Sequence, residues 1–176
     1  MTYNDSSWTG GLSFTATKAT TLYQFKVYHN DSSYRISLYK LAAPDTAPAA
    51  DAVPVWKTPA SGQTAPKGST FDTIDLSVPL NAGTSYLLTT VGQIMGITVP
   101  NPAVAFPVES LAGLKVTKSF LVEDTLELDQ GTFSTSRWGP FTDLRSFSKT
   151  RIDSNIAILW LAHELAQGVR TFDPNS

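Results

Sequence analysis

The stretch FSTSRWGPFTDLRSFSKTR, from Phe133 to Arg151, interleaves Trp138, Phe141 and Phe147 with Arg137, Arg145, Lys149 and Arg151. Aromatic faces stack on sugar rings, and arginine forks make paired hydrogen bonds to carboxylate or phosphate. Glycine and proline within the stretch argue against regular structure. It could therefore serve as a contact surface for glycan or protein, with Arg137, Trp138, Phe141 and Arg145 as candidate ligand-binding residues. The favoured reading is that Trp138 and Phe141 plug one end of the fold while the basic groups stay solvated. A nucleic-acid role is not expected, because the formal net charge is −2 and supplies no field toward a polyanion.

Catalytic chemistry finds less to work with. Nucleophilic catalysis needs a base beside a hydroxyl or thiol, and the only histidines are His29 and His163, neither in a Gly-x-Ser-x-Gly setting. VEDTLELDQ carries Glu123, Asp124, Glu127 and Asp129. Two carboxylates are what glycoside hydrolysis requires, but strand alternation would put Glu127 and Asp129 together on a solvated face, with Leu126 and Leu128 behind. The same oxygens suit calcium, although no fixed loop spacing marks a calcium site. No phosphate loop, dinucleotide fingerprint or metal triad occurs. The expectation is a protein that is not an enzyme, with no catalytic residue, no cofactor and no metal ligand assigned; calcium is the one ion the acidic cluster would suit.

The elements that must position such residues follow from composition and period. The chain has 176 residues, 41% hydrophobic and 16% charged, which fits one domain with a real core. There is no cysteine, so neither disulfides nor thiolate metal sites hold it. TTLYQFKVYHN alternates with period two, NDSS at Asn30 to Ser33 supplies turn chemistry, and YRISLYKLA alternates again. Together they read as an antiparallel hairpin. APDTAPAADAV is a loop, since Pro44 and Pro48 break any helix. VPVWKTPA is a short edge strand with Trp56 in the core. TFDTIDLSVPL sets Ile74, Leu76, Val78 and Leu80 against Asp75, Ser77 and Pro79, NAG turns the chain, and TSYLLTTVG returns with Tyr86 and Leu88 on the core face.

Beyond Gly92 the pattern weakens. Pro100, Pro102 and Pro107 mark a proline-rich insertion over about 93–117, with short strands near Ile97 and over Lys115 to Val122. SLAGL could form one helical turn, and TLELDQGTFSTS resembles a strand pair around Gly131. SNIAILWLAHE is an apolar strand containing Trp160. Short strands with little helix predict an all-β fold, a two-sheet antiparallel β-sandwich, jelly-roll-like. One domain spans 1–162, and 163–176 is a C-terminal arm or linker.

The order TLYQFKVYHN, YRISLYKL, VWKTPA, FDTIDLSVPLNAGTSYLLTT resembles an uncharacterised β-sandwich domain of bacterial exported and surface proteins. The similarity runs over roughly residues 11–92, and SNIAILW is similar to that domain's last strand. The resemblance implies a carbohydrate-module-like, jelly-roll sandwich and supplies no catalytic residues.

Read from Met1, the chain shows no secretory leader and no apolar run long enough to span a membrane. A surface-module sandwich without a leader or cysteine fits a protein made in a host cytoplasm and released by lysis. The leading expectation is a non-catalytic structural component of a bacteriophage virion, a capsid decoration, tail or fibre protein. Its partners would be other virion proteins or copies of itself, with a cell-surface glycan as a further candidate and no membrane insertion. The alternative is a carbohydrate-binding or adhesion module of an exported bacterial protein, located outside the cell or on its surface.

Overall fold

The computed structural model describes residues 2–3, 8–58, 63–64, 70–98, 105–123, 126–136, 138–140, 142–148 and 153–158. Thirteen strands occur among them: β1 Thr2–Tyr3, β2 Thr9–Ala16, β3 Thr20–Lys40, β4 Trp56–Lys57, β5 Gln63–Thr64, β6 Thr70–Leu80, β7 Ser85–Thr98, β8 Val108–Glu109, β9 Leu114–Val122, β10 Thr132–Ser134, β11 Trp138–Pro140, β12 Thr142–Ser148 and β13 Asp153–Ile158. The only helix described is a 3-10 turn, Leu128–Gln130. All pairings are antiparallel, and the fold is an all-β sandwich, as the strand periodicities predict.

The expected hairpin over residues 20–40 is not formed. Thr20–Lys40 is one strand of 21 residues whose halves serve different neighbours. Thr20 to Val27 lies between β6 and β12, His29 pairs with Thr70 of β6 and already with Ile94 of β7, and Tyr34 to Lys40 lies between β7 and the short β4 and β5. Tight hairpin turns need positive φ at their central residues, which glycine supplies most readily, and NDSS contains no glycine. The polar run is instead where the strand passes from one layer to the other. The first layer runs β6, β3, β12, β13; the second runs β10, β9, β2, β7, β3, β4.

The core lies between these layers. Leu22, Phe25, Val27, Ile74, Val78, Leu80 and Leu144 face inward from the first, and Leu12, Phe14, Tyr34, Ile36, Leu38, Tyr86 and Leu88 from the second. Phe25 meets Trp56 across the gap edge to face, with ring centroids 5.6 Å apart. Trp56 is thus held against the core as its alternation predicts.

β6 and β7 are consecutive yet sit in opposite layers, so the turn between them spans the end of the sandwich. Asn81 to Thr84 closes with Thr84 N–H donating to Asn81 O at 3.1 Å, and Gly83 has φ +77°, the third-position geometry of a type II turn. Gly83 N–H donates to Ala16 O at 2.7 Å, which docks the turn on the end of β2.

Three further expectations are corrected. β7 does not stop near Gly92 but continues to Thr98, taking Ile97 with it. SLAGL is not helical: Gly113 N–H donates to Ser110 O at 3.1 Å in a tight turn, and Gly113, at φ +96°, closes a hairpin between β8 and β9. TLELDQGTFSTS is not a strand pair. Glu127 precedes the 3-10 turn, where Gln130 Oε1 accepts from Glu127 N–H at 2.9 Å, and only Thr132–Ser134 is a strand, paired with β9. Capping therefore overrides the alternation that would have aligned Glu127 with Asp129.

Candidate functional site: a polar cleft on the outer sheet face

Alternation in the second layer sends one set of side chains into the core and the other outward. On β3 the outward set is Arg35, Ser37 and Tyr39; on β7 it is Leu87, Thr89 and Val91. Register then fixes rows across the sheet. Thr9, Val91 and Arg35 form one row. Gly11, Thr89, Ser37 and Lys57 form the next, with Phe120 at its far end.

Half of this outer face is sealed by the chain itself. Leu41, Leu87, Phe120 and Val122 make a second apolar cluster, joined by Tyr39, Ala47, Leu128 and Phe133. Phe120 and Phe133 pack with centroids 4.9 Å apart. Gly131 lies directly on the Phe120 ring, where a Cβ would collide with it. The other cover, residues 41–52, is fastened by Asp45: its Oδ1 accepts from Thr117 Oγ1 at 2.9 Å, and its Oδ2 lies 3.5 Å from Lys118 Nζ.

The other half stays open as a cleft of about 410 Å³. Its floor is Thr9, Arg35, Ser37, Tyr39, Thr89 and Val91; Lys57 and Thr58 stand at the β4 edge, and Ala50, Glu127 and Leu128 come from the covering segments. Thr58 is fixed at both ends, its N–H donating to Ile36 O at 2.9 Å and its Oγ1 accepting from Ile36 N–H at 3.2 Å. Thr89 Oγ1 donates to Ser37 O at 3.4 Å. Arg35, Lys57 and Glu127 are exposed, and none is held in an ion pair by another described residue. The volume falls within the range of small-molecule sites, roughly 300–1,000 Å³.

The sequence-predicted site lies elsewhere. Arg137 and Phe141 fall outside the described residues. Trp138 begins β11, paired with Thr98 at the end of β7. Arg145 is in β12 of the first layer, half-buried, between Gln24 of β3 and Asn155 of β13. The stretch expected to be irregular is therefore largely strand, because its glycine and proline sit in the short β11 while Leu144 to Ser148 alternates buried and half-buried within β12. His29 lies within β3 and not beside a turn; His163, Trp160 and the 163–176 arm are outside the described residues. Among the described residues no three carboxylate or imidazole groups come close enough to hold a metal ion. Asp124 is not among them.

Sequence reading missed the cleft because its residues are scattered over β2, β3, β4, β7 and the 126–131 segment. The available signal was the alternate polar set Arg35, Ser37 and Tyr39, which reads as an ordinary solvated face until the covering segments are seen to stop short of it. No protein-family model, curated protein or solved structure matches this chain.

Proposed function

We propose that this chain is a non-catalytic structural component of a bacteriophage virion, a capsid decoration, tail or fibre protein with a jelly-roll-like sandwich frame. It works through contacts with other virion proteins or with copies of itself, and through surface attachment. The supporting observation is the rim of the second layer. Val53 and Val55 are 86% and 50% exposed on either side of Pro54, in the segment leading into β4. Among the described residues β4 pairs only with β3. An apolar strip beside a short edge strand, bordered by a polar cleft, has the make-up of a macromolecular contact site. Light scattering on size-exclusion fractions tests this: a homo-oligomer that Val53→Asp with Val55→Asp dissolves supports assembly, and a strict monomer at high concentration counts against it. Neighbouring genes for capsid, portal or tail proteins would support the particle assignment.

The second reading, a carbohydrate-binding or adhesion module of an exported bacterial protein, is favoured by the cleft and by the resemblance to exported sandwich domains. A secretory signal encoded upstream of Met1 in the native gene would put this reading ahead.

A further inference from the structure

We propose that the cleft on the outer face of the second layer binds an acidic saccharide, a sugar chain bearing carboxylate groups, through Arg35 and Lys57. This goes beyond the assembly reading, which would stand if the cleft bound nothing.

Arg35 and Lys57 belong to neighbouring strands: Lys57 is opposite Ser37, and Arg35 is two residues along β3 from Ser37. They are diagonal neighbours on one face, with backbones roughly 7–8 Å apart in such pairs. Both line the cleft, and neither has an ion-pair partner among the described residues. Two cations at this separation favour anionic groups, and the arginine fork suits a planar carboxylate in particular.

The remaining lining narrows the class. Glu127, from the covering 126–131 segment, also lines the cleft. A ligand dense in negative charge, such as a phosphodiester chain, would be repelled there. One with sparse carboxylates and many hydroxyls would instead donate hydrogen bonds to it. Thr9, Ser37 and Thr89 add hydroxyls along the floor, and Tyr39 adds an aromatic surface against which a sugar ring can pack. The backbone beneath is a hydrogen-bonded sheet, so the polar groups are largely positioned before a ligand arrives.

Isothermal titration with three probes tests this: an oligogalacturonide, the same oligomer fully methyl-esterified, and a sulfated galactan oligosaccharide. The expected result is binding of the oligogalacturonide, at least tenfold weaker for the ester, and weakened by added salt. Arg35→Ala and Lys57→Ala should each reduce affinity tenfold or more. Lys18→Ala, exposed at the turn before β3, should leave it unchanged, and circular dichroism should show all three variants folded. Preference for the sulfated probe over the carboxylate would overturn the carboxylate assignment. No binding of the oligogalacturonide, equal binding of acid and ester, or binding insensitive to both cleft variants would overturn the site. Oligomer formation, measured separately by light scattering, would be unaffected by any of these failures.

Discussion

Asp45 and Thr117 are joined by a 2.9 Å hydrogen bond that fastens the 41–52 segment to the outer face of the second layer. Thr117 is the extra residue of a β-bulge: β2 pairs Ser13 with Lys118 and then Phe14 with Val116. The bulge turns Thr117 toward Asp45, whose backbone takes φ +51°. Asp45→Ala should lose the bond and cost about 1 kcal/mol in urea denaturation. The ion pair to Lys118 adds little, because Lys118 is 40% exposed and screened. Asp45→Asn keeps an acceptor and tolerates the left-handed backbone, so it should stay close to the parent. Hydrogen exchange should quicken in 41–52 for the alanine variant only.

Tyr86 ties the two layers together at one end. Its hydroxyl accepts from Asn81 N–H at 3.0 Å, and its ring stacks on Phe14 with centroids 5.7 Å apart. Tyr86→Phe should cost about 0.5–1.5 kcal/mol, the net contribution of one hydrogen bond. Tyr86→Ala removes a buried ring and should cost about 3–5 kcal/mol. A phenylalanine variant as unstable as the alanine one would contradict this division between bond and packing.

Two glycines should respond differently to alanine. At Gly83 nothing lies within 4 Å of an added Cβ, so only the positive φ opposes it and the cost should be about 1 kcal/mol. At Gly131 the Cβ would strike the Phe120 ring and the Val122 side chain, so overpacking should cost about 1–3 kcal/mol and lift the 126–131 segment off the sheet. Loss of the near-native signals of Phe120 and Phe133 in Gly131→Ala alone would confirm the assignment.

Ser146 places a hydroxyl in the core without a hydrogen-bond partner among the described residues. It follows a register shift in the β12–β3 pairing and faces inward in line with Leu144. Ser146→Ala should therefore be neutral or stabilising by up to about 1–2 kcal/mol, since no bond is lost and a buried polar group is removed. A loss of more than about 1 kcal/mol in thermal or urea unfolding would show that the hydroxyl is satisfied.

Local pattern carried much of this architecture. Ile74, Val78 and Leu80, then Tyr86 and Leu88, alternate toward the core as their spacing requires, and Gly83 marks the turn between them. Pairing partners were not legible in the same way. Tyr23 to Lys40 has the alternation of either a hairpin or one long strand, and the distant partners β6, β12 and β7 decide between them. The cleft was hidden for the same reason: Arg35 gains its significance from Lys57, Thr89 and Glu127, which only the sheet register and the 3-10 turn bring near it. The aromatic and basic run at Arg137 to Arg145 was conspicuous in sequence because it is contiguous, and contiguity says little about shared surface once β12 takes up alternating faces.

The most direct test of the cleft as the binding face is amide chemical-shift mapping with the oligogalacturonide as titrant. Saturable shifts are expected at Arg35, Ser37, Tyr39, Lys57, Thr89 and Glu127. Shifts concentrated instead along Trp138 to Arg145, with the cleft residues unmoved, would contradict the cleft as the binding face.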